Sequence, residues 1–273
     1  MPNKTRKTPR PVALGKRRPE GEAGCLTERG LKPEELVRES KALLESRANA
    51  EYARRSRRYF KEKVDFLGLT TPEMRTIEAD LWNRIRDRWE LKDAITYTEA
   101  LLADRFHEVR ALGLLVLLRF RKEFDPALFE WTRKWLAADR LDNWALVDLF
   151  CPDAIGPLLA AHAGLETKMK AWAKHPNRWV KRASAVSFIK LARRGRCLET
   201  VYEIAERLFP VEDDLIHKAT GWLLREAGRT DRPRLRDFLL THGPAIPRTA
   251  LRYAIEHFPE AERRDLLTRT KPR

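Results

Sequence analysis

Three short stretches of this chain hold the residue types that can act on a charged or aromatic substrate. Trp144-Ala145-Leu146-Val147-Asp148 sets an indole and a carboxylate four residues apart, which puts them on one helical face. A carboxylate on an otherwise apolar helix face is uncommon without a task; the bland alternative is a core tryptophan beside a solvated acid. Trp179 and Arg182 stand three residues apart, again on one face, where the guanidinium can stack on a ring, grip a phosphate or point to water. Gly221-Trp222 lies with Lys218 and Arg225 on the same side. A glycine inside a strong helical pattern costs about 1 kcal/mol relative to alanine, so it points to close helix packing, with Trp222 as core or as a platform for a nucleotide.

Other chemistries lack their signatures. No phosphate-cradling glycine loop, HExxH or CxxC motif occurs, and no serine or cysteine has a recognisable activating partner. The histidines are scattered and read as fillers, His217 included. Cys25, Cys151 and Cys197 are far apart, which argues against a disulfide framework or a zinc site and for a reducing compartment. The expectation is no metal and no organic cofactor.

Composition names the partner. Lysine and arginine number 55 against 40 acidic residues, a formal net charge of +15, and such an excess favours a polyanion because bound phosphates release counterions. A hydrophobic fraction of 43% supports a substantial core. No apolar run approaches the roughly 20 residues that span a bilayer, and the first residues lack the apolar centre of a secretion signal. A cytoplasmic monomer is the expectation.

The elements that must position these residues are helices. Residues 1–30, rich in Pro, Gly, Lys and Arg, read as a disordered basic tail, and residues 31–273 as one helical domain. Thr71-Pro72-Glu73 reads as a helix start with Thr71 as cap, followed by an apolar stripe of Ile77, Leu81, Trp82 and Ile85. Helical segments are expected at 92–103, 107–121, 126–138, 144–150, 153–162 and 166–174. Others follow at 178–193, 198–208, 213–227, 232–241, 246–257 and 260–269. Within them HEVRALGLLVLLRF, RWVKRASAVSFIKLAR and HKATGWLLREAGR share a base, an alanine and an apolar run. Arg110, Arg182 and Lys218 mark a period near 36, with a further unit near position 146. That period predicts an all-α solenoid related to HEAT or armadillo repeats, a right-handed α–α superhelix of about six helical pairs with a concave face.

Four blocks in order, YFKEKVDFLGLTTPEMR (59–75), DNWALVDLFCPDAIGPLL (142–159), NRWVKRASAVSF (177–188) and HKATGWLLREAGR (217–229), resemble the AlkD-like DNA alkylation repair proteins, HEAT-like DNA glycosylases, over about residues 52–257. The resemblance implies a catalytic role for Asp148, cleft tryptophans at Trp144 and Trp222, a backbone-gripping arginine at Arg182 and an aromatic near the damaged pair at Tyr59. Trp179 and Lys218 join them as lesion- or DNA-binding candidates. Two positions depart from the family pattern: Asn143 stands where a second tryptophan is frequent, and Ala145 where an acid is common. The implied function is excision of cationic N3- or N7-alkylated purines from double-stranded DNA by a monofunctional glycosylase, in base excision repair. The alternatives are a non-catalytic binder of branched or distorted DNA and a protein-binding scaffold.

Overall fold

In the computed structural model of the chain, residues 31–271 are described; the expected basic tail over residues 1–30 lies outside them. The first helices are α1 (Pro33–Ser46), α2 (Ala50–Arg57), α3 (Thr71–Ile85), α4 (Leu91–Leu102) and α5 (His107–Leu117). The middle of the chain forms α6 (Pro126–Ala137), α7 (Trp144–Ala161), α8 (Gly164–Trp172), α9 (Arg178–Val186) and α10 (Ile189–Ala192). The series ends with α11 (Leu198–Leu208), α12 (Asp214–Ala227), α13 (Arg232–His242), α14 (Arg248–Ala254) and α15 (Glu260–Arg269). Among the described residues β pairing is limited to a single bridge between Asp65 and Phe106. The fold is therefore all-α, as the periodicity predicts.

Side-chain caps start the helices that carry the site. Asn143 accepts from the Leu146 N–H, Asn177 from those of Trp179 and Val180, and Asp213 from those of Leu215 and Ile216. Each oxygen satisfies backbone donors that the helix leaves open. Asn143, Asn177 and Asp213 stand 34 and 36 residues apart, so the repeat is written in the caps as well as in the apolar runs. Helix α5 packs on α7, α7 on α9, α9 on α12 and α12 on α14, giving one continuous row. A second row covers it, with α4 on α5, α6 and α8 on α9, and α11 on α12.

Side-chain bonds between repeats follow the same spacing. Arg110 reaches Asp142, Trp135 reaches Glu99, Lys170 reaches Glu203 and Arg193 reaches Glu226, over separations of 32 to 36 residues. In a solenoid each unit touches only its neighbours, so a side chain one period away is the one within reach. The apolar core runs through the stack without a break, from Leu36 to Leu266.

The structure corrects three details. The cap of α3 is Thr70 rather than Thr71: its hydroxyl receives the Glu73 N–H while the Glu73 carboxylate bonds the Thr70 N–H, a reciprocal arrangement that fixes the first turn. The two helices expected at 144–150 and 153–162 are one helix, α7, with Pro152 and Pro157 inside it. Proline withdraws an intrahelical N–H, but burial of Leu146, Val147, Phe150, Ile155 and Leu159 holds the helix on its neighbours. The segment expected at 178–193 divides into α9 and α10, where the Phe188 N–H reaches back only to the Ala185 carbonyl at 3.2 Å.

Helix α7 has the length and apolarity of a membrane span. Ten of its residues are buried against other helices and it carries Asp148 and Asp153, so here it serves as the central strut of the stack.

Candidate nucleic-acid interface and active site

The site begins at α7. Trp144 and Asp148, one turn apart, are both half-buried. Arg182, from the next helix of the row, meets Asp148 with two parallel bonds, Nε to Oδ1 at 2.9 Å and Nη2 to Oδ2 at 2.7 Å. Its remaining Nη1 donates to the Leu215 carbonyl in the first turn of α12 at 2.5 Å. Three consecutive helices of the row are tied together at this point. The Arg182 side chain is 6% exposed and that of Asp148 17%, so the arginine is spent inside the protein and the aspartate is the more accessible of the two.

Burial raises the Asp148 carboxyl above its ordinary range, and the Arg182 guanidinium opposes that shift. The fork geometry fixes the plane of the carboxylate and leaves part of its accepting capacity unused, since an ionised carboxylate offers about four lone-pair positions. Pro152 adds to the negative character here, because it cannot donate a helical N–H to the Asp148 carbonyl.

Tyr59 enters from the segment between α2 and α3. Its ring is 80% exposed, the largest exposure of any large apolar or aromatic side chain among the described residues. The segment is held from behind: Glu108, buried at the start of α5, accepts the N–H groups of Leu67, Gly68 and Leu69 at 3.0, 2.8 and 3.2 Å. Gly68 has φ +93°, and a Cβ there would lie 2.0 Å from the Asn49 carbonyl oxygen, so only glycine lets the chain pass. The segment is also held from the front. Phe60 stacks on Trp144 with centroids 4.9 Å apart and planes at 17°. Lys61 reaches Asp214 of α12 at 3.4 Å, and Arg178 bridges Glu62 at 3.3 Å and Asp213 at 2.7 Å.

Lys218 and Trp222 lie one turn apart on α12. Lys218 pairs with Asp214 at 2.9 Å; this bond raises the lysine pKa and, with Lys61, lowers that of the aspartate. Trp222 is half-buried. The glycine before it does what its cost suggested: a Cβ on Gly221 would sit 2.5 Å from both the Ala250 carbonyl and the Tyr253 Cβ. Helix α14 therefore lies close on α12, and Tyr253, 37% exposed, stands beside the Lys218 turn.

The structure thus joins Asp148 and Arg182 directly, sets Trp144 one turn from Asp148, and brings Tyr59 to the same end of α7 through Phe60. Lys218 and Trp222 follow on the adjoining helix. Trp179 does not join them; it is 4% exposed in the core, and the cation over its ring is Arg178, 5.0 Å from the centroid, rather than Arg182. Sequence reasoning missed Phe60, Glu108 and Arg178. All three lay inside quoted blocks, but nothing local distinguishes Glu108 or Arg178, whose partners lie about 35 to 115 residues away. The Asn143 departure has a structural reason: the residue is wholly buried as the cap of α7.

A basic α-solenoid with an arginine-held carboxylate among half-buried aromatic rings places the chain in a class, the all-helical repeat proteins with a polar site along one row of helices. The chain belongs to the DNA alkylation repair enzyme family, whose model matches residues 40–258. Among solved structures it is similar to a predicted DNA alkylation repair enzyme from Enterococcus faecalis, at 18% identity and a TM-score of 0.69. The likeness covers 78% of this chain and 97% of that one, which speaks for the fold. No curated protein sequence matches it. Family membership supports a role in the repair of alkylated DNA.

Proposed function

We propose that this protein is a monofunctional DNA glycosylase that releases purines alkylated at N3 or N7 from double-stranded DNA, with Asp148 as its catalytic carboxylate. The supporting observation is the Asp148–Arg182 fork, which orients a carboxylate near the start of α7 on a side chain that is 17% exposed. An alkylated purine is cationic, so its bond to C1′ breaks with the electron pair leaving on a neutral base. The positive charge passes to the sugar, and the carboxylate stabilises it from a site of low dielectric. Water then adds to C1′ and gives its proton to Asp148 or to solvent. Trp144 and Trp222 offer indole surface to the cationic lesion; Phe60 already covers one face of Trp144, which is therefore not available to it. Lys61, largely exposed, and Lys218, half-buried, share Asp214 and are the basic groups nearest the site that can turn to phosphates, which they would meet without reading sequence. Arg182 serves as a positioning residue, because gripping a phosphate would cost it both Asp148 and the Leu215 carbonyl. The chain is proposed to act as a cytoplasmic monomer on DNA.

The fork also favours a second reading, a binder of distorted DNA in which the pair is purely structural. Incubating the protein with methylated duplex DNA and measuring released bases separates the two. Release of 7-methylguanine or 3-methyladenine supports excision; full binding with no release supports the binder.

A further inference from the structure

The reading of the Asp148 face as DNA-directed leaves the most basic stretch of the chain without a task. Between residues 54 and 63 stand Arg54, Arg55, Arg57, Arg58, Lys61 and Lys63 against the single acid Glu62, and no other ten residues hold as many bases. Lys61 pairs with Asp214 and Glu62 with Arg178; among the described residues the other bases of this stretch pair with no carboxylate. Elsewhere surface bases have such partners, as in Arg234–Glu199, Arg236–Asp265 and Lys170–Glu203. We infer that α2 and the chain beside it form a DNA-backbone contact outside the site, an arginine strip that holds phosphates of the duplex flanking the lesion and reads no sequence. The inference rests on the DNA-directed part of the reading above and not on excision.

Helix α2 is built for its surface. It has no buried residue, and a helix polar on every side gives the core nothing. At eight residues it is also too short to be stable alone. Its start is nevertheless fixed twice. The Asn49 side chain accepts the N–H groups of Glu51 and Tyr52, and the Asn49 N–H donates to the Leu67 carbonyl at 2.8 Å. At 3.6 residues per turn Arg54, Arg55 and Arg58 fall within an arc of about 100°, and all three are exposed. Glu51, the one acid of the helix, lies on the same arc a turn nearer the start. The helix dipole favours cations in a last turn, yet it does not account for Lys63, which lies beyond the helix.

The geometry fits a phosphodiester. A groove of about 490 Å³ runs beside α2, lined by Arg54, Arg57 and Lys63, with Asp65 as its one acid. Arg57 spends one N–H on the Phe60 carbonyl at 2.6 Å; a guanidinium presents five such donors in a planar fork that matches phosphate oxygens. The opposite side of α2 is different, since Tyr52 and Ser56 face the aromatic wall that holds Trp144. The strip is therefore separate from the site at Asp148, although Arg58 adjoins Tyr59 in the chain. Helix α2 is about 12 Å long, the rise of roughly three to four base pairs, which sets its phosphates in the flanking duplex.

Phenylglyoxal, which modifies exposed arginines, tests the full chain without substitution. Peptide mapping is expected to find Arg54, Arg55 and Arg58 modified in the free protein and spared when an undamaged duplex is bound. The variant Arg54→Ala/Arg55→Ala/Arg58→Ala should lose about 2–3 from the slope of log affinity against log salt, roughly 0.9 for each phosphate contact removed, and equally for duplexes of different sequence. The control Arg38→Ala/Arg263→Ala/Arg264→Ala takes the same charge from α1 and α15 and should keep the wild-type slope. Thermal melting shows whether each variant is folded; the protection map decides alone if the strip variant is not. Modification undiminished in a bound complex, protection by phosphatidylglycerol vesicles but not by duplex, no DNA binding, an unchanged slope in the folded strip variant, or an equal loss in the control would each overturn the inference. Protection with no release of methylated purines would leave the strip standing and remove the glycosylase reading. Release without protection would do the reverse.

Discussion

Replacing Asp148 by asparagine tests the carboxylate most sharply, because the structure separates its electrostatic role from its structural one. Asparagine keeps the shape and can accept one guanidinium bond through Oδ1, but its amide N–H groups then face the other Arg182 donor. Removing one partner of a buried ion pair costs about 3–5 kcal/mol. Here the side chain of Asp148 is 17% exposed, and Arg182 retains the Leu215 carbonyl. A loss of roughly 2–3 kcal/mol is expected on that scale, and at about 2–4 °C per kcal/mol for a chain of this size the thermal midpoint should fall by about 4–12 °C, with the protein still folded at 25 °C. Excision should fall further, by about 10²–10³-fold or roughly 3–4 kcal/mol, the effect of removing one preorganised electrostatic group. The cationic nucleoside is labile by itself, so a residual rate remains. The double variant Asp148→Leu/Arg182→Leu replaces the pair with apolar side chains and should regain most of the lost stability but none of the activity. Single-turnover release of 7-methylguanine and thermal melting provide the two readouts. A folded Asp148→Asn protein that excises within about threefold of wild type would refute the catalytic role.

Three further outcomes follow from the same geometry. Because burial raises the Asp148 pKa and the reaction needs its anion, excision should fall as pH drops through an acid limb lying above the ordinary carboxylate value of about 4; Arg182→Ala removes the opposing cation and should move that limb upward, as a pH–rate profile at constant salt will show. Duplex binding should weaken steeply with salt, and Lys61→Ala/Lys218→Ala should flatten the plot of log affinity against log salt, by up to about 2 in slope; an unchanged slope removes these lysines from the interface. Gly68→Ala forces a Cβ to 2.0 Å from the Asn49 carbonyl at φ +93° and should release the Tyr59 segment, so protease cleavage between residues 58 and 70 should rise while the rest of the chain resists; unaltered cleavage would mean that this contact does not hold the segment.

What the chain determined by itself was local and periodic. Helix identity followed from apolar spacing, because the side chains of Ile77, Leu81 and Ile85 bury one face whatever lies opposite. The stack followed from the period, because similar units meet through similar surfaces. Trp144 and Asp148 could be placed on one face because the helix fixes their separation. The tertiary structure decided everything that depends on a partner remote in sequence. The apolar pattern divided α7 into two segments, but neighbouring helices supplied the burial that keeps it whole. Arg182 looked free to grip phosphate, yet its donors are directed to Asp148 and to a carbonyl 33 residues away. Trp179 looked like a ring for a ligand and is core, because which face of α9 is covered depends on the helices packed against it. The rings around Phe60 are the clearest case: Phe60 and Phe66 come from the segment before α3, His107 from α5 and Trp144 from α7, and only folding brings them together.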